Sequence, residues 1–301
     1  MLLYDRENGK GARYCLVFDS VLKRGGPRHI IVFYQRADRG KEKRMVHKTI
    51  EYRKIEHVGL IHFRDNVKDQ EAIARLPYEI SEVSATIISE DDIWVVVLTG
   101  VGKNASLMER DSNADIFEIE GMEDSISLSV TEPIADIEKP VIVGINGEAL
   151  GQGFELVLTC DIRIATEKSR FGLPQLEKGL IPWNGGTQRL ARLVGKGKAL
   201  EMILTGVTID AQEAYRIGLV NNVVSSKELE KTVMHMAGEM TSKGPIALKY
   251  AKEAINTGMD LTLEQGLHLE ADLYMLLHTS RDRTEGIRAF REKRKPQFKG
   301  K

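Results

Sequence analysis

Hydrophobic positions change their spacing several times along the chain, and each change predicts an element. Residues 49–64 alternate loosely between apolar and polar side chains, which indicates a hairpin with its turn at Glu56-His57. The runs 94–98 and 141–145 contain no polar residue and predict strands that are covered on both faces. Residues 70–88 have helical spacing, although Pro77 is expected to interrupt that helix.

The remaining pattern adds helices to this frame. Helical spacing over 152–159 is followed by a strand-like run at 161–165, so that strands and helices alternate as in an α/β protein. Beyond residue 186 the chain is mostly helical. The predicted helices cover 116–137, 187–193, 196–204, 211–217, 226–240, 246–257, 263–278 and 283–295.

Charge is distributed unevenly, and this distribution predicts the domain boundaries. Residues 1–44 carry 11 Lys/Arg and 5 Asp/Glu, whereas the whole chain has a net charge of −1. We interpret 1–44 as a basic, poorly ordered N-terminal extension, with Met45 as a candidate natural start. A nucleic-acid-binding arm is the alternative. The remainder is predicted to form a core over 45–240 and a helical C-terminal region over 241–301.

Composition narrows the classes of function. The chain has 301 residues, of which 42% are apolar and 29% charged, as in ordinary globular proteins. No apolar run approaches the roughly 20 residues of a membrane-spanning helix, and the balanced charge argues against nucleic-acid binding. Two cysteines without a pairing pattern favour a reducing, cytoplasmic location. The seven histidines have no metal-ligand spacing, so we predict no metal site.

The most informative segment is 139–156, where a buried strand, a glycine-rich turn and a helix follow one another. The first amides of a helix have no acceptor within it, and the helix dipole is positive there. The amide of Gln152 could therefore stabilise a developing negative charge. Glu155 lies three residues further on the same helix face and suits a general acid/base. The same pattern also fits a tight turn followed by a solvated Glu155.

Other motifs do not support nucleotide chemistry. Residues 99–104 resemble part of a phosphate-binding loop, but position 97 is Val and Asn104 stands where Ser or Thr is needed. The turn at Gly151 lacks the glycine spacing of a dinucleotide-binding fold.

Residues 139–161 are similar to the signature of the crotonase superfamily, the enoyl-CoA hydratase/isomerase family, and 171–190, 204–220 and 285–294 continue the match. The resemblance implies an α/β fold built as a crotonase-like spiral of ββα turns, with a helical C-terminal trimerisation region. It also implies an acyl-CoA substrate, whose thioester enolate is bound by two backbone amides. Members assemble as homotrimers or dimers of trimers. No separate cofactor is expected, because coenzyme A is part of the substrate.

The resemblance also assigns roles to single residues. One amide of the oxyanion hole should be that of Gln152. Counting from Gly100 places the other at Leu107, whereas alignment on Ala114-Asp115 would give Ser112. Phe290 and Lys293 match positions that bind the nucleotide part of coenzyme A.

Departures from the family pattern concern the reaction itself. Glu155 matches the first of two glutamates that hold water in the hydratases, but Gln175 replaces the second. An amide orients water but cannot exchange its proton, and its neutrality removes charge repulsion with Glu155. Trp183 follows Pro182 where glycine is common, and its ring should reshape the acyl pocket.

These residues favour hydration and dehydration of an enoyl-CoA, with Glu155 as acid/base and Gln175 positioning water. The alternatives are double-bond isomerisation, CoA-thioester hydrolysis, or a non-catalytic member that binds acyl-CoA or RNA.

Overall fold

The chain divides into two compact units, Met1–Lys43 and Arg44–Lys301. The computed structural model describes residues 44–64, 70–102 and 129–301, without the side chains of 70–74, and the backbone of three strands in the first unit. Those strands are β1 (Asp5–Asn8), β2 (Ala12–Val17) and β3 (Ile30–Phe33), joined as an antiparallel sheet. The poor order predicted for this segment stays a prediction.

The second unit is built on a seven-stranded sheet with the order β13-β10-β8-β7-β6-β5-β4. Pairing is antiparallel among β4, β5 and β6 and parallel from β6 to β13. The predicted hairpin is confirmed, with Glu56 in the left-handed region at its turn. The strands are β4 (Arg44–Val46), β5 (Ile50–Ile55), β6 (Val58–Phe63), β7 (Val95–Val101), β8 (Val141–Ile145), β10 (Ile162–Thr166) and β13 (Asn222–Val224).

A second, small sheet lies where the chain leaves β8. It has the order β12-β11-β9, in which β9 and β11 are parallel and β11 and β12 are antiparallel. Its strands are β9 (Glu148–Leu150), β11 (Arg170–Gly172) and β12 (Ile209–Asp210). This strand-and-helix architecture confirms the predicted fold class.

Helices cover the sheets and form the C-terminal part of the unit. Those of the core are α1 (Gln70–Ser89), α2 (Glu132–Ala135), α3 (Gly151–Thr159), α4 (Gly186–Val194), α5 (Lys196–Thr205), α6 (Ala211–Arg216) and α7 (Leu229–Thr241). They are followed by α8 (Pro245–Gly258), α9 (Leu263–Leu277) and α10 (Arg281–Arg291). Within the described ranges, no helix combines the length and the apolar composition that spanning a membrane requires.

Two of the predicted helices differ from the structure. Pro77 lies inside α1 without interrupting it, because the buried face around Leu76 and Ile80 compensates for the lost hydrogen bond. The helix predicted over 116–137 is wrong in its described part, where only Glu132–Ala135 is helical. Residues 116–128 lie outside the described residues.

The apolar residues 95–98 of β7 are buried on both faces of the sheet, as the sequence predicts. Val96 and Leu98 belong to the core that α1 completes, whereas Val95 and Val97 join a second core with α7. Because each face of a strand takes every second side chain, a strand between two layers needs apolar residues at every position.

The last residues of the chain fold back against α10. The carboxylate of Asp282 accepts the backbone N–H groups of Lys299 and Gly300 at 2.8 Å each, and that of Glu285 accepts the N–H of Gln297 at 2.9 Å. Both carboxyl residues are buried. Phe298 packs against the second core.

Candidate active site

Glu155 lies in the middle of α3 and is completely buried. Seven of the nine residues of α3 are buried, because the helix runs between β9, β11 and α4. Phe154 packs on Phe171 with ring centroids 5.6 Å apart. The alternative reading of Glu155 as a solvated helix residue is therefore wrong.

The two oxygens of the Glu155 carboxyl group have different partners. Oε1 accepts the backbone N–H groups of Asn184 at 2.8 Å and Gly186 at 2.9 Å. Oε2 accepts a longer hydrogen bond, 3.3 Å, from the side-chain Nε2 of Gln175. Oε1 is thus fixed by the backbone, which leaves Oε2 as the oxygen that can exchange a proton.

The close approach of α4 to Glu155 depends on a glycine. Gly186 is the first residue of α4, so its N–H lacks an acceptor within that helix and points its partial positive charge at the carboxyl group. A Cβ atom at this position would lie 2.9 Å from Glu155 Oε1 and 2.9 Å from Pro182 Cβ. Only glycine allows this contact without displacement of the carboxyl group.

Burial dominates the electrostatics of Glu155. It raises the pKa of the carboxyl group above its ordinary value, against the lowering effects of the Gly186 and Asn184 amides, the charge of Arg189, and the hydrogen bond from Gln175. From the sequence, only one effect on this pKa is visible: neutral Gln175 removes a charge repulsion that would raise it. The structure adds desolvation, which raises the pKa of Glu155.

Asn184 is a residue of the candidate site that the sequence does not single out. Its carbonyl oxygen accepts hydrogen bonds from Thr131 Oγ1 at 3.0 Å and from Arg189 Nη1 at 2.9 Å, and its Oδ1 accepts one from Ser129 Oγ at 2.8 Å. Its side chain is 4% exposed. The available signal was a polar side chain directly before Gly185-Gly186, but that pattern also fits an ordinary helix start.

Gln152 lies at the start of α3, and its role in an oxyanion hole stays a prediction. As the second residue of α3 it has a backbone N–H without an acceptor in the helix, one turn before Glu155. Its predicted partner Leu107, like the alternative Ser112, lies outside the described residues. The chain reaches that segment through Gly102, where a Cβ atom would lie 2.9 Å from the backbone of Gly147. The loop therefore begins beside the turn that leads to α3.

The three predicted binding residues lie on the surface. Trp183 is 49% exposed on the loop that carries Asn184. Phe290 near the end of α10 is 85% exposed, and Lys293 lies exposed just beyond it. None of the three is among the described residues that hydrogen-bond to Glu155. The described residues include no group of three or more His, Cys, Asp or Glu that could hold a metal ion.

Comparison with known proteins agrees with this arrangement. Residues 53–301 match the enoyl-CoA hydratase/isomerase family. The short-chain-enoyl-CoA hydratase of Clostridium acetobutylicum is 38% identical over 237 residues, which is 76% of this chain and 88% of that protein. The crotonyl-CoA hydratase of Syntrophomonas wolfei is 39% identical over 224 residues, 73% and 86% of the two chains.

Solved structures give the same result. The crystal structure of an enoyl-CoA hydratase from Bacillus anthracis superposes with a TM-score of 0.73 at 35% identity, and the match covers 84% of this chain and all of that one. The matched range 53–301 includes Glu155 and the loop that holds its carboxyl group. The chain therefore belongs to the enoyl-CoA hydratase/isomerase family.

Proposed function

We propose that this protein adds water across the double bond of an enoyl-CoA thioester and catalyses the reverse dehydration, with Glu155 as the acid/base. One observation carries this proposal. The carboxyl group of Glu155 is fully buried, its Oε1 is fixed by two backbone amides, and its Oε2 is shared with the amide of Gln175. The hydratase names of the Clostridium and Syntrophomonas relatives support the same reaction.

Hydration needs one group that first accepts and then returns a proton. Water bound between Glu155 Oε2 and Gln175 gives one proton to Oε2 while its oxygen bonds to C3 of the enoyl group. The electron pair of the double bond moves to the thioester oxygen, where the amide of Gln152 and a second amide, predicted at Leu107, stabilise the enolate. Protonated Glu155 then returns the proton to C2. The net reaction adds one water to the enoyl-CoA.

A single carboxyl group is sufficient for this sequence of steps. Gln175 can hold the water but cannot carry its proton at neutral pH. Both directions begin with the carboxylate form of Glu155, because hydration deprotonates water and dehydration removes a proton from C2. Because burial raises the pKa of Glu155, its carboxylate is a stronger base than an ordinary glutamate, which suits removal of a proton from water or from C2.

Substrate binding and assembly complete the proposal. Phe290 and Lys293 would bind the nucleotide part of coenzyme A, and Trp183 would border the acyl pocket. A homotrimer or dimer of trimers would cover the exposed apolar side chains of α8 and α9, such as Ile255, Met259 and Leu267. A cytoplasmic location and activity without any cofactor other than the substrate's own coenzyme A remain predictions.

The test is product analysis with crotonyl-CoA. We expect the enoyl absorbance to fall while the thioester stays intact, and Glu155→Gln to lower kcat by about 1,000-fold or more with little change in KM. Glu177→Gln, an exposed carboxyl group two residues after Gln175, should retain wild-type rates. Release of free thiol would instead identify a hydrolase, and movement of the double bond an isomerase. An unchanged kcat in Glu155→Gln would remove Glu155 from the mechanism.

A further inference from the structure

Two buried amide atoms next to Glu155 have no hydrogen-bond partner among the described residues: Oε1 of Gln175 and Nδ2 of Asn184. Buried polar atoms in folded proteins are nearly always paired, so an unpaired one calls for an explanation. One of these atoms is an acceptor and the other a donor. Their residues bind the two different oxygens of the same carboxyl group.

Neither amide is free to turn toward another partner. Asn184 Oδ1 accepts from Ser129, and rotation of the side chain would break that hydrogen bond. Gln175 Nε2 donates to Glu155, and its rotation would place two oxygens against each other. The existing hydrogen bonds therefore fix which atom of each amide is left for a bound group.

We propose that Asn184 Nδ2 completes the subsite of the water held by Glu155 and Gln175, as a further hydrogen-bond donor to the oxygen that becomes the C3 hydroxyl group of the product. This inference rests on the proposed hydration. The oxygen accepts a hydrogen bond from Asn184 Nδ2. The proton that stays on it is donated to Gln175 Oε1, and the proton that leaves passes to Glu155 Oε2. Asn184 is then a specificity-determining residue, which distinguishes ligands with a C3 hydroxyl group from those without it.

The subsite explains what the amide at position 175 contributes. A carboxylate at position 175 could take either proton of the water, whereas an amide oxygen can only accept a hydrogen bond. The proton that moves is thereby assigned to Glu155 alone. The donor on Asn184 then completes three polar partners for the oxygen, a number typical of a well-held buried water.

A pair of unreactive ligands tests the subsite without turnover. S-butyl-CoA and S-(3-hydroxybutyl)-CoA are thioethers that differ only in the hydroxyl group, and without a thioester carbonyl neither has an acidic C2 proton. By isothermal titration of the full chain, we expect the wild type to bind the hydroxylated ligand about 5- to 20-fold more tightly. Asn184→Ala keeps the backbone N–H to Glu155 and should lose this preference, with the Kd of S-butyl-CoA changed less than about twofold.

Further variants keep the test decisive. Asn184→Asp preserves the shape and the acceptor for Ser129 but lacks the donor, and it too should lose the preference; Gln175→Leu removes the acceptor arm and should reduce it. Asn222→Ala makes the same truncation at an exposed position of β13 and should leave the preference intact. No preference in the wild type, or an undiminished one in the Asn184 and Gln175 variants, overturns the proposal. Because no turnover is measured, this outcome is independent of the kcat of Glu155→Gln.

Discussion

Residues 141–194 and residues 241–301 differ in how completely a single chain buries and pairs their side chains. In the first region a buried carboxyl group is surrounded by hydrogen-bond donors from α4, the preceding loop and the 3₁₀ turn at Pro174–Lys178. In the second, large apolar side chains are exposed along α8, α9 and α10. They include Ile255, Met259, Leu263, Leu267, Tyr274, Met275, Leu276 and Phe290.

We therefore expect the first region to determine proton transfer and the second to determine ligand binding and subunit association. The described hydrogen-bond partners of the Glu155 carboxyl group all belong to a single chain, so the kcat of the proposed reaction should respond to changes in these contacts. An exposed apolar surface of such extent is typical of a binding or association surface. Changes there should alter substrate affinity or subunit association while the chemical step stays intact.

Among variants that keep the side chain of Glu155, the largest effect is expected from Gly186→Ala, which alters the surroundings of the buried carboxyl group. The added methyl group would press on Glu155 Oε1 and Pro182, so the carboxyl group should lose an amide partner and its alignment. We expect kcat to fall about 100-fold, in line with misplacement of a catalytic group by a fraction of an ångström. Steady-state kinetics with crotonyl-CoA measures this.

Gly197→Ala is the matched control for that variant. Gly197 lies in α5, where nothing is within 4 Å of an added Cβ, so alanine should be tolerated or slightly stabilising. If Gly186→Ala retained wild-type kcat, the backbone clamp on Oε1 would have no role in the reaction.

An intermediate effect is expected from Phe290→Ala in the exposed region. The side chain is 85% exposed in the single chain, so its removal leaves no cavity. If it binds the nucleotide part of coenzyme A, KM should rise about 10-fold while kcat stays within twofold, the pattern of a uniform binding contact. Tyr215→Ala, another exposed aromatic truncation, should change neither parameter. A fall in kcat at constant KM would contradict the separation of the two regions.

The smallest effect concerns pH. The acid limb of the kcat/KM profile should lie above the ordinary glutamate pKa, since burial raises the pKa of Glu155 and activity is lost as protonation removes the base. Gln175→Glu places a second carboxyl group next to that of Glu155. Repulsion between the two negative charges should raise the pKa of Glu155 and move the acid limb to higher pH by about one unit.

The exposed Gln188→Glu makes the same chemical change on α4, and its profile should coincide with that of the wild type. A limb that stays fixed in Gln175→Glu would show that Glu155 does not set it.

The parts of the fold that could be predicted follow from local pattern. The aliphatic run of β7 predicts a buried strand and the glycine-rich turn predicts a helix start, and both elements are found in the structure. Pro77 was misjudged because the tertiary packing of α1 outweighs a local penalty. The N-terminal boundary from charge falls at 44, and the first compact unit ends at Lys43.

The site was less accessible to sequence reasoning. Glu155 and Gln175 carry chemistry in their side chains and could be singled out, but the groups that fix Glu155 are backbone amides of Asn184 and Gly186. Every residue except proline has a backbone N–H, so the identity of a residue does not show that its amide binds Glu155. The role of Asn184 also depends on Ser129, which lies 55 positions away.

The folding back of residues 297–300 onto α10 has a practical consequence for handling the protein. If residues 297–301 were removed, Glu285 would keep the guanidinium groups of Arg288 and Arg294, whereas the buried carboxylate of Asp282 would lose its N–H partners at Lys299 and Gly300. Affinity tags and fluorescent fusions should therefore be attached upstream of residue 44, where the family match has not yet begun. Proteolytic removal of residues 297–301 should be detected first as a lower Tm.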